Sequence, residues 1–275
     1  MIEDFIQSEK EYFKPILDAQ NSLSKEQLNA YRSETLTQRK NRISLETYEL
    51  CKGTVSEGLF TGLKLQCDTY WGANDLGSQC LGLYEKEVLN LILKRGPFQN
   101  FINIGAADGY YPVGMLHSAM ASLAICFEVS DKGQKLINKN WLGNDAKGKL
   151  EIYGEANATS IQMISHKLVE NSLVLIDIEG AEFSLLTSPI ISLFKKCELI
   201  IEIHNWVENF LQEYTKLLYR LEKYFCIVPV EQEERETRIP LLKSYPDDNR
   251  LLLASEGRPG SMRFLHLIPR SKNNY

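Results

Sequence analysis

The chain has 275 residues, 44% of them hydrophobic and 24% charged, enough for one sizeable core plus an appendage. Its formal net charge of −5 disfavours a nucleic-acid backbone as partner, since clustered Lys and Arg would have to neutralise it. The opening MIEDFIQSEKEYF carries acids where a signal peptide needs bases, no run reads as a membrane span, and six cysteines without a C-x-x-C pair fit reduced thiols, so a cytoplasmic location is expected.

Residues 1–57 are polar, with Phe5, Tyr12, Phe13, Ile16 and Leu17 at helical spacing. That pattern predicts a helical appendage packed on the main domain or on a second copy, which makes a homodimer an expectation. The basic cluster QRKNR (38–42) and the mixed run EQEERETR (231–238) read as solvated surface. The main domain is expected over 58–275 and begins with a lead-in, 58–95. Glycines and aromatics crowd residues 55–82 without periodicity and predict a strand pair and a loop. LYEKEVLNLILKRG predicts a helix bearing Val88, Leu89, Leu91, Ile92 and Leu93, stopped at Gly96-Pro97.

From Phe98 onward strands and helices alternate. FINIG, LAICFEV, LEIYGEA, SLVLIDIEG and CELIIEIHN read as strands. YYPVGMLHSAMAS, DKGQKLINKNWLG, SIQMISHKLVE and FSLLTSPIISLFKK, the last interrupted at Pro189, read as the helices between them. WVENFLQEYTKLLYRLEKY predicts a long helix with Trp206, Phe210, Tyr214, Leu217, Leu221 and Tyr224 on one stripe. FCIVPV and MRFLHLIP supply late strands. Nearly all-apolar strands alternating with helices imply a parallel sheet covered on both faces, an α/β, doubly wound fold.

In such a sheet, ligands bind beyond the carboxyl ends of the strands. The glycine loop after FINIG lies on that edge. Ala107 stands where the dinucleotide fingerprint G-x-G-x-x-G needs its second glycine, so a pyrophosphate is not favoured. A G-x-x-x-G loop, Gly105 to Gly109, suits a ligand without phosphates such as S-adenosylmethionine. Glu128 ends the next strand about 20 residues further on, the spacing at which an acid bonds two ribose hydroxyls. Glu155 and Ala156 end the third strand, where a carboxylate and a backbone group can meet an adenine.

FINIGAADGYYPVGML, VLIDIEGAEFSLL and LIIEIHN resemble the motifs of the FkbM-like group of class I S-adenosylmethionine-dependent methyltransferases. GLFTGLKL and LGLYEKEV are similar to the lead-in often found ahead of that domain, and the resemblance spans roughly residues 58 to 207. It implies a Rossmann-like fold and methyl transfer, commonly to a hydroxyl of a sugar or other small metabolite. By the same resemblance Gly105, Ala106 and Gly109 face the amino-acid end of the cofactor, Glu128 the ribose, and Glu155 with Ala156 the adenine. Tyr84 and Glu85 would close over the site. Such loops often begin with an acid where this chain has Asn103, and Asp108 can supply the missing charge toward the cofactor's ammonium group.

Two strand ends carry unusual polarity: Asp177 with Glu179, and Glu202 with His204, each pair two residues apart and so on one face. Buried carboxylates are costly unless paired or used. A hydroxyl that attacks a methyl group must lose its proton, and imidazole titrates in the right range, which makes His204 the candidate base with Asp177 and Glu179 orienting it or binding the acceptor. Glu182 is expected to cap a helix or face solvent. The same groups can hold a divalent cation such as magnesium or manganese, but their spacing specifies none. His117, His166 and His266 carry no role, and Arg250, Arg258 and Arg263 flank a late loop without being placed in the site. The expected partner is a small-molecule or glycan acceptor, with no nucleic acid and no membrane. Alternatives are a nicotinamide-dependent oxidoreductase, opposed by the missing second glycine, a non-catalytic S-adenosylmethionine-binding module, and methylation of nucleic acid or protein.

Overall fold

A computed structural model of the chain describes residues 2–70, 72–257 and 262–270. Among the described residues seven strands are present: β1 (Phe98–Ile104), β2 (Ala121–Phe127), β3 (Lys149–Tyr153), β4 (Ser172–Ile176), β5 (Glu198–Ile203), β6 (Phe225–Val230) and β7 (Arg263–Pro269). They form one sheet in the order β3-β2-β1-β4-β5-β7-β6. The first five are parallel, and β7 enters antiparallel between β5 and β6. This is the Rossmann-like, doubly wound α/β architecture, and its strand order reverses between β1 and β4. The crevice outside their carboxyl ends is where such sheets bind ligands.

The helices are α1 (Ile2–Ser22), α2 (Lys25–Ser33), α3 (Leu36–Leu50), α4 (Leu76–Cys80), α5 (Lys86–Arg95), α6 (Tyr110–His117), α7 (Asp131–Leu142), α8 (Ala158–Met163), α9 (Glu182–Leu185), α10 (Ser188–Phe194), α11 (Phe210–Leu221) and α12 (Asp247–Ala254). Strand period sorts the core into two layers. Ile102, Ile104, Val174, Ile176, Leu199 and Ile201 face α8 to α11. Phe101, Leu173, Leu175 and Ile200 face α5, α6 and the lead-in. The edge strands differ: β3 carries Lys149 and Glu151, and β6 carries Pro229, devices that discourage further pairing.

Several expectations need correction. The 55–82 segment forms no strand pair: its Lys64 makes only an isolated bridge to Thr54, and Leu76–Cys80 is the short helix α4. Positive φ at Gly58, Gly62, Gly72 and Gly82 bends the chain too often for a ladder to run. The last long helix begins at Phe210 because Asn209 takes a left-handed conformation, φ 54°, leaving Trp206 outside it. Leu93 of α5 is exposed.

The appendage is helical as expected. Ser24 and Thr35 each open a helix with a reciprocal capping box, to Gln27 and Gln38. The basic cluster is not a solvated face: Lys40 is buried against Asp75 and the Glu256 carbonyl, and Arg39 meets Asp248 and Asn249. Arg42 pairs with Glu34 and Glu46. Within the 231–238 run, Arg235 likewise lies between Glu87 and Glu256. On α1, by contrast, Phe5, Tyr12, Phe13 and Leu17 are exposed. All six cysteines are free thiols, and among the described residues no helix is long and apolar enough to cross a membrane.

Candidate functional site

The glycine loop joins β1 to the end of β4. Gly105 has φ +88°, and a Cβ there would lie 1.7 Å from the Asp177 carbonyl oxygen, so only glycine lets the two strand ends meet. Ala107 is also left-handed, φ 47°, which points its amide at Glu128. Glu128 Oε2 accepts that N–H at 2.9 Å, and Oε1 accepts the Ser130 N–H at 2.8 Å. The Glu128 side chain fits because Gly133 stands opposite: a Cβ there would come within 2.7 Å of Glu128 Cγ. Two backbone donors therefore hold Glu128 while each oxygen keeps a lone pair for a further hydroxyl.

A cavity of about 610 Å³ opens at this point. Gly105, Glu128, Glu155 and Ala156 line it together with apolar Phe127, Val129, Leu185 and Ile190. A second cavity, about 260 Å³, lies on the lead-in side and is lined by Tyr84, Asn103, Ala106, Asp108 and Tyr110. Gly105, Ala107, Asp177 and Glu179 border both, so the two are neighbours across the edge of the sheet. Gly109 lines neither. It starts α6 at φ +85° and packs on Ile137. Glu85 also lines neither. It is 2% exposed, and its carboxylate accepts the Tyr111 hydroxyl at 2.5 Å.

Asp108 accepts the Tyr70 N–H at 2.7 Å. Burial pushes its carboxyl up to about 6, against the pull of that hydrogen bond and of Lys132. The Tyr110 hydroxyl is buried in the wall of the same cavity without a hydrogen-bond partner among the described residues.

The third feature is a carboxylate–imidazole cluster in a pocket of about 190 Å³, bordered by Tyr84, Asp177, Glu179, Glu202, His204 and Trp206. Strand period places Asp177, Glu202 and His204 on the face that Leu175 and Ile200 already occupy. Glu179 arrives differently. Strand β4 ends at Ile176, and Glu179 itself, left-handed at φ 55°, borders the pocket. His204 Nε2 lies 3.4 Å from Asp177 Oδ1, 3.7 Å from Glu202 Oε2 and 3.8 Å from Glu179 Oε2. Burial alone lowers the imidazole pKa. Its hydrogen bond to Glu182 and the charges of Glu182, Asp177 and Glu179 outweigh that and raise it.

Glu182 is the correction of most consequence. It is fully buried, and it bonds His204 at both the backbone N–H and the ring Nδ1. Trp206, assigned by sequence to a helix stripe, sets its ring 4.7 Å from that of His204 and remains half exposed. The D-I-E-G-A-E run was the one signal for Glu182, but an acid at the start of a helix reads equally well as a cap.

One atom each from Asp177, Glu179 and His204 falls within 4.8 Å of the others, as does one each from Glu85, Asp177 and Glu202. An imidazole among carboxylates accounts for the first group and, through Asp177 and Glu202, for two members of the second, whose third, Glu85, is bonded to Tyr111, so these distances do not select a cation. Of the late arginines, Arg250 bonds the Tyr245 carbonyl and Asp247, Arg263 belongs to β7, and Arg258 lies outside the described residues.

No protein-family model matches the chain, and no curated protein matches it. Solved structures are similar in fold. An O-methyltransferase from Bacillus cereus in complex with SAH aligns with TM-score 0.46 at 11% identity, covering 83% of this chain and 90% of that one. The putative precorrin-6Y C5,15-methyltransferase domain from Corynebacterium diphtheriae gives TM-score 0.43 at 13% identity, covering 69% and 99%. TrmK of M. capricolum with S-adenosylhomocysteine gives 0.37 at 17% identity, covering 68% of each chain. At these scores the likenesses carry no argument about binding or activity, and the fold assignment rests on the strand order and register themselves.

Proposed function

We propose that the chain is an S-adenosylmethionine-dependent methyltransferase of the FkbM-like kind that methylates a hydroxyl of a small polar acceptor such as a sugar or glycan unit. One observation carries this reading. The cavity at the strand-order switch gathers the Gly105 loop, Glu128, Glu155 and Ala156, and its rim at Asp177 and Glu179 is shared with the His204 pocket.

The residues present fit the cofactor. A volume of about 610 Å³ with mostly apolar walls and a few convergent polar groups suits a nucleoside-sized ligand. Glu128 has acceptor capacity left for ribose hydroxyls, Glu155 with Ala156 can meet the adenine, and the Gly105 backbone borders the same cavity. The polar second cavity, with Asn103 and Asp108, suits the amino-acid end. When bound, the cofactor supplies an electrophilic methyl group on a sulfonium.

The chain's own residues supply the rest. Alignment of acceptor and methyl accounts for much of such a reaction. Asp177 and Glu179 receive acceptor hydroxyls, the exposed ring of Trp206 offers a face to a sugar, and His204 takes the proton of the attacking hydroxyl. Because its carboxylate neighbours raise its pKa, His204 is a stronger base than free imidazole, and its neutral working form grows in as the pH rises above 6.5.

Calorimetric titration with S-adenosylhomocysteine, with NAD as comparator, tests the cofactor. Micromolar binding of the first alone is expected. Binding of NAD alone would overturn the reading and return the oxidoreductase to the front.

A further inference from the structure

Glu182 begins α9, with both oxygens inside the protein and no exposed surface. A carboxylate so placed is costly unless donors satisfy it. Three donors reach it. Gly180 N–H meets Oε2 at 2.9 Å, His204 N–H meets Oε1 at 2.9 Å, and His204 Nδ1 lies 3.2 Å from the same Oε1. One side chain thus ties the turn after β4 to the end of β5, and these are the two elements that present Asp177, Glu179 and His204.

The chemistry of the contact decides the form of the ring. An ionised carboxylate only accepts, so Nδ1 must carry the proton, and in the neutral imidazole the lone pair then sits on Nε2. Nε2 is the nitrogen on the pocket side, within 3.8 Å of Asp177, Glu179 and Glu202. The opposite tautomer would turn its lone pair toward Glu182, where it would face an acceptor, and would present Nε2 to the pocket as a donor rather than as a base.

We propose that Glu182 is the positioning residue of the site, holding His204 in the Nδ1–H form so that Nε2 takes the acceptor's proton. This rests on the methyl-transfer reading. The hydroxyl proton passes to Nε2 as the acceptor oxygen forms its bond to the methyl carbon, and the electron pair of the breaking sulfur–carbon bond remains on sulfur. The resulting imidazolium keeps its Nδ1–H on Glu182 and later returns the Nε2 proton to water. The arrangement follows the general logic by which a base is oriented by a third group.

The test is nitrogen-15 NMR of the full chain labelled at histidine, recorded at alkaline pH where the ring is neutral. The chain has four histidines, and a His204→Asn variant identifies the His204 signals. The wild type is expected to show the Nδ1–H form. Glu182→Leu, which removes the acceptor, should shift the population toward Nε2–H, while Glu182→Asp, which keeps it, should retain more of the native form. An Nε2–H ring in the wild type, or an unchanged ring in Glu182→Leu, would overturn the assignment, and the wild-type spectrum decides even if the variants fold poorly. Titration of the same samples with S-adenosylhomocysteine separates the two readings. Failure to bind it, with the Nδ1–H form intact, sinks methyl transfer and leaves the Glu182–His204 pair standing.

Discussion

Ala107 shows how much one side chain can decide at the binding edge. It takes the second-glycine position of the loop, adopts a left-handed conformation and borders both cavities. If the proposed cofactor sits here, Ala107→Glu should crowd it and weaken S-adenosylhomocysteine binding roughly 10- to 100-fold, the equivalent of the ~1–3 kcal/mol that overpacking typically costs. An unchanged calorimetric affinity would remove this loop from the cofactor site. The same residue scale separates what was readable from what was not. Asp177, Glu128 and His204 announced themselves because polarity at the end of an apolar strand is rare. Glu182 did not, because its meaning depends on His204, a partner on another element that only the packed chain brings within hydrogen-bond reach.

At the scale of elements, α3 is bound to the domain through α4. Gly77 N–H donates to Ser44 Oγ at 2.6 Å, and a Cβ on Gly77 would lie 2.8 Å from Ser44 Cα. Helix propensity and packing disagree here about the sign of one change. Alanine is the better helix former by ~1 kcal/mol, yet the contact is with backbone that cannot swing aside. Gly77→Ala is expected to destabilise the protein by about 1–3 kcal/mol in chemical denaturation, and a stabilised variant would show that α3 packs more loosely than the geometry requires. Periodic stretches such as α5, α7 and the core strands could be placed from sequence because burial on one or two faces writes itself into the residue order. The 55–82 segment could not, since its conformation comes from glycines at positive φ and from contacts with distant helices.

For the whole molecule, the titrating groups predict how stability follows pH. His204 has a raised pKa in the folded state, so its contribution is complete below 6.5 and is lost as the pH climbs through the folded value. Asp108, raised from 3.8 to about 6, binds its proton better when folded and therefore also lowers stability as the pH rises across that interval. Glu151 and Glu198 act in the opposite sense. Burial would raise both, but Lys149 and Lys167 around the first, and His266 and Arg95 around the second, bring them down to about 2. Their contribution is present above 4.5 and is lost as the pH falls toward 2. Unfolding free energy should peak on the acid side of neutrality, with His204→Gln flattening the decline above 6.5 and Asp108→Asn the part between 3.8 and 6; a decline unaltered by either change would contradict these assignments. The sequence by itself determined the fold class, the glycine loop on the binding edge and the strand ends that bear polar groups, because strand period and apolar runs are local properties of the chain. Only the tertiary structure decided that Glu182 is buried against His204, that the Trp206 ring lies against that imidazole and that Lys40 and Arg235 are drawn into ion pairs. The Glu182, Lys40 and Arg235 contacts join groups far apart in the chain, and the Trp206 ring is placed by the way the chain turns after β5, so no local pattern encodes which groups folding brings together.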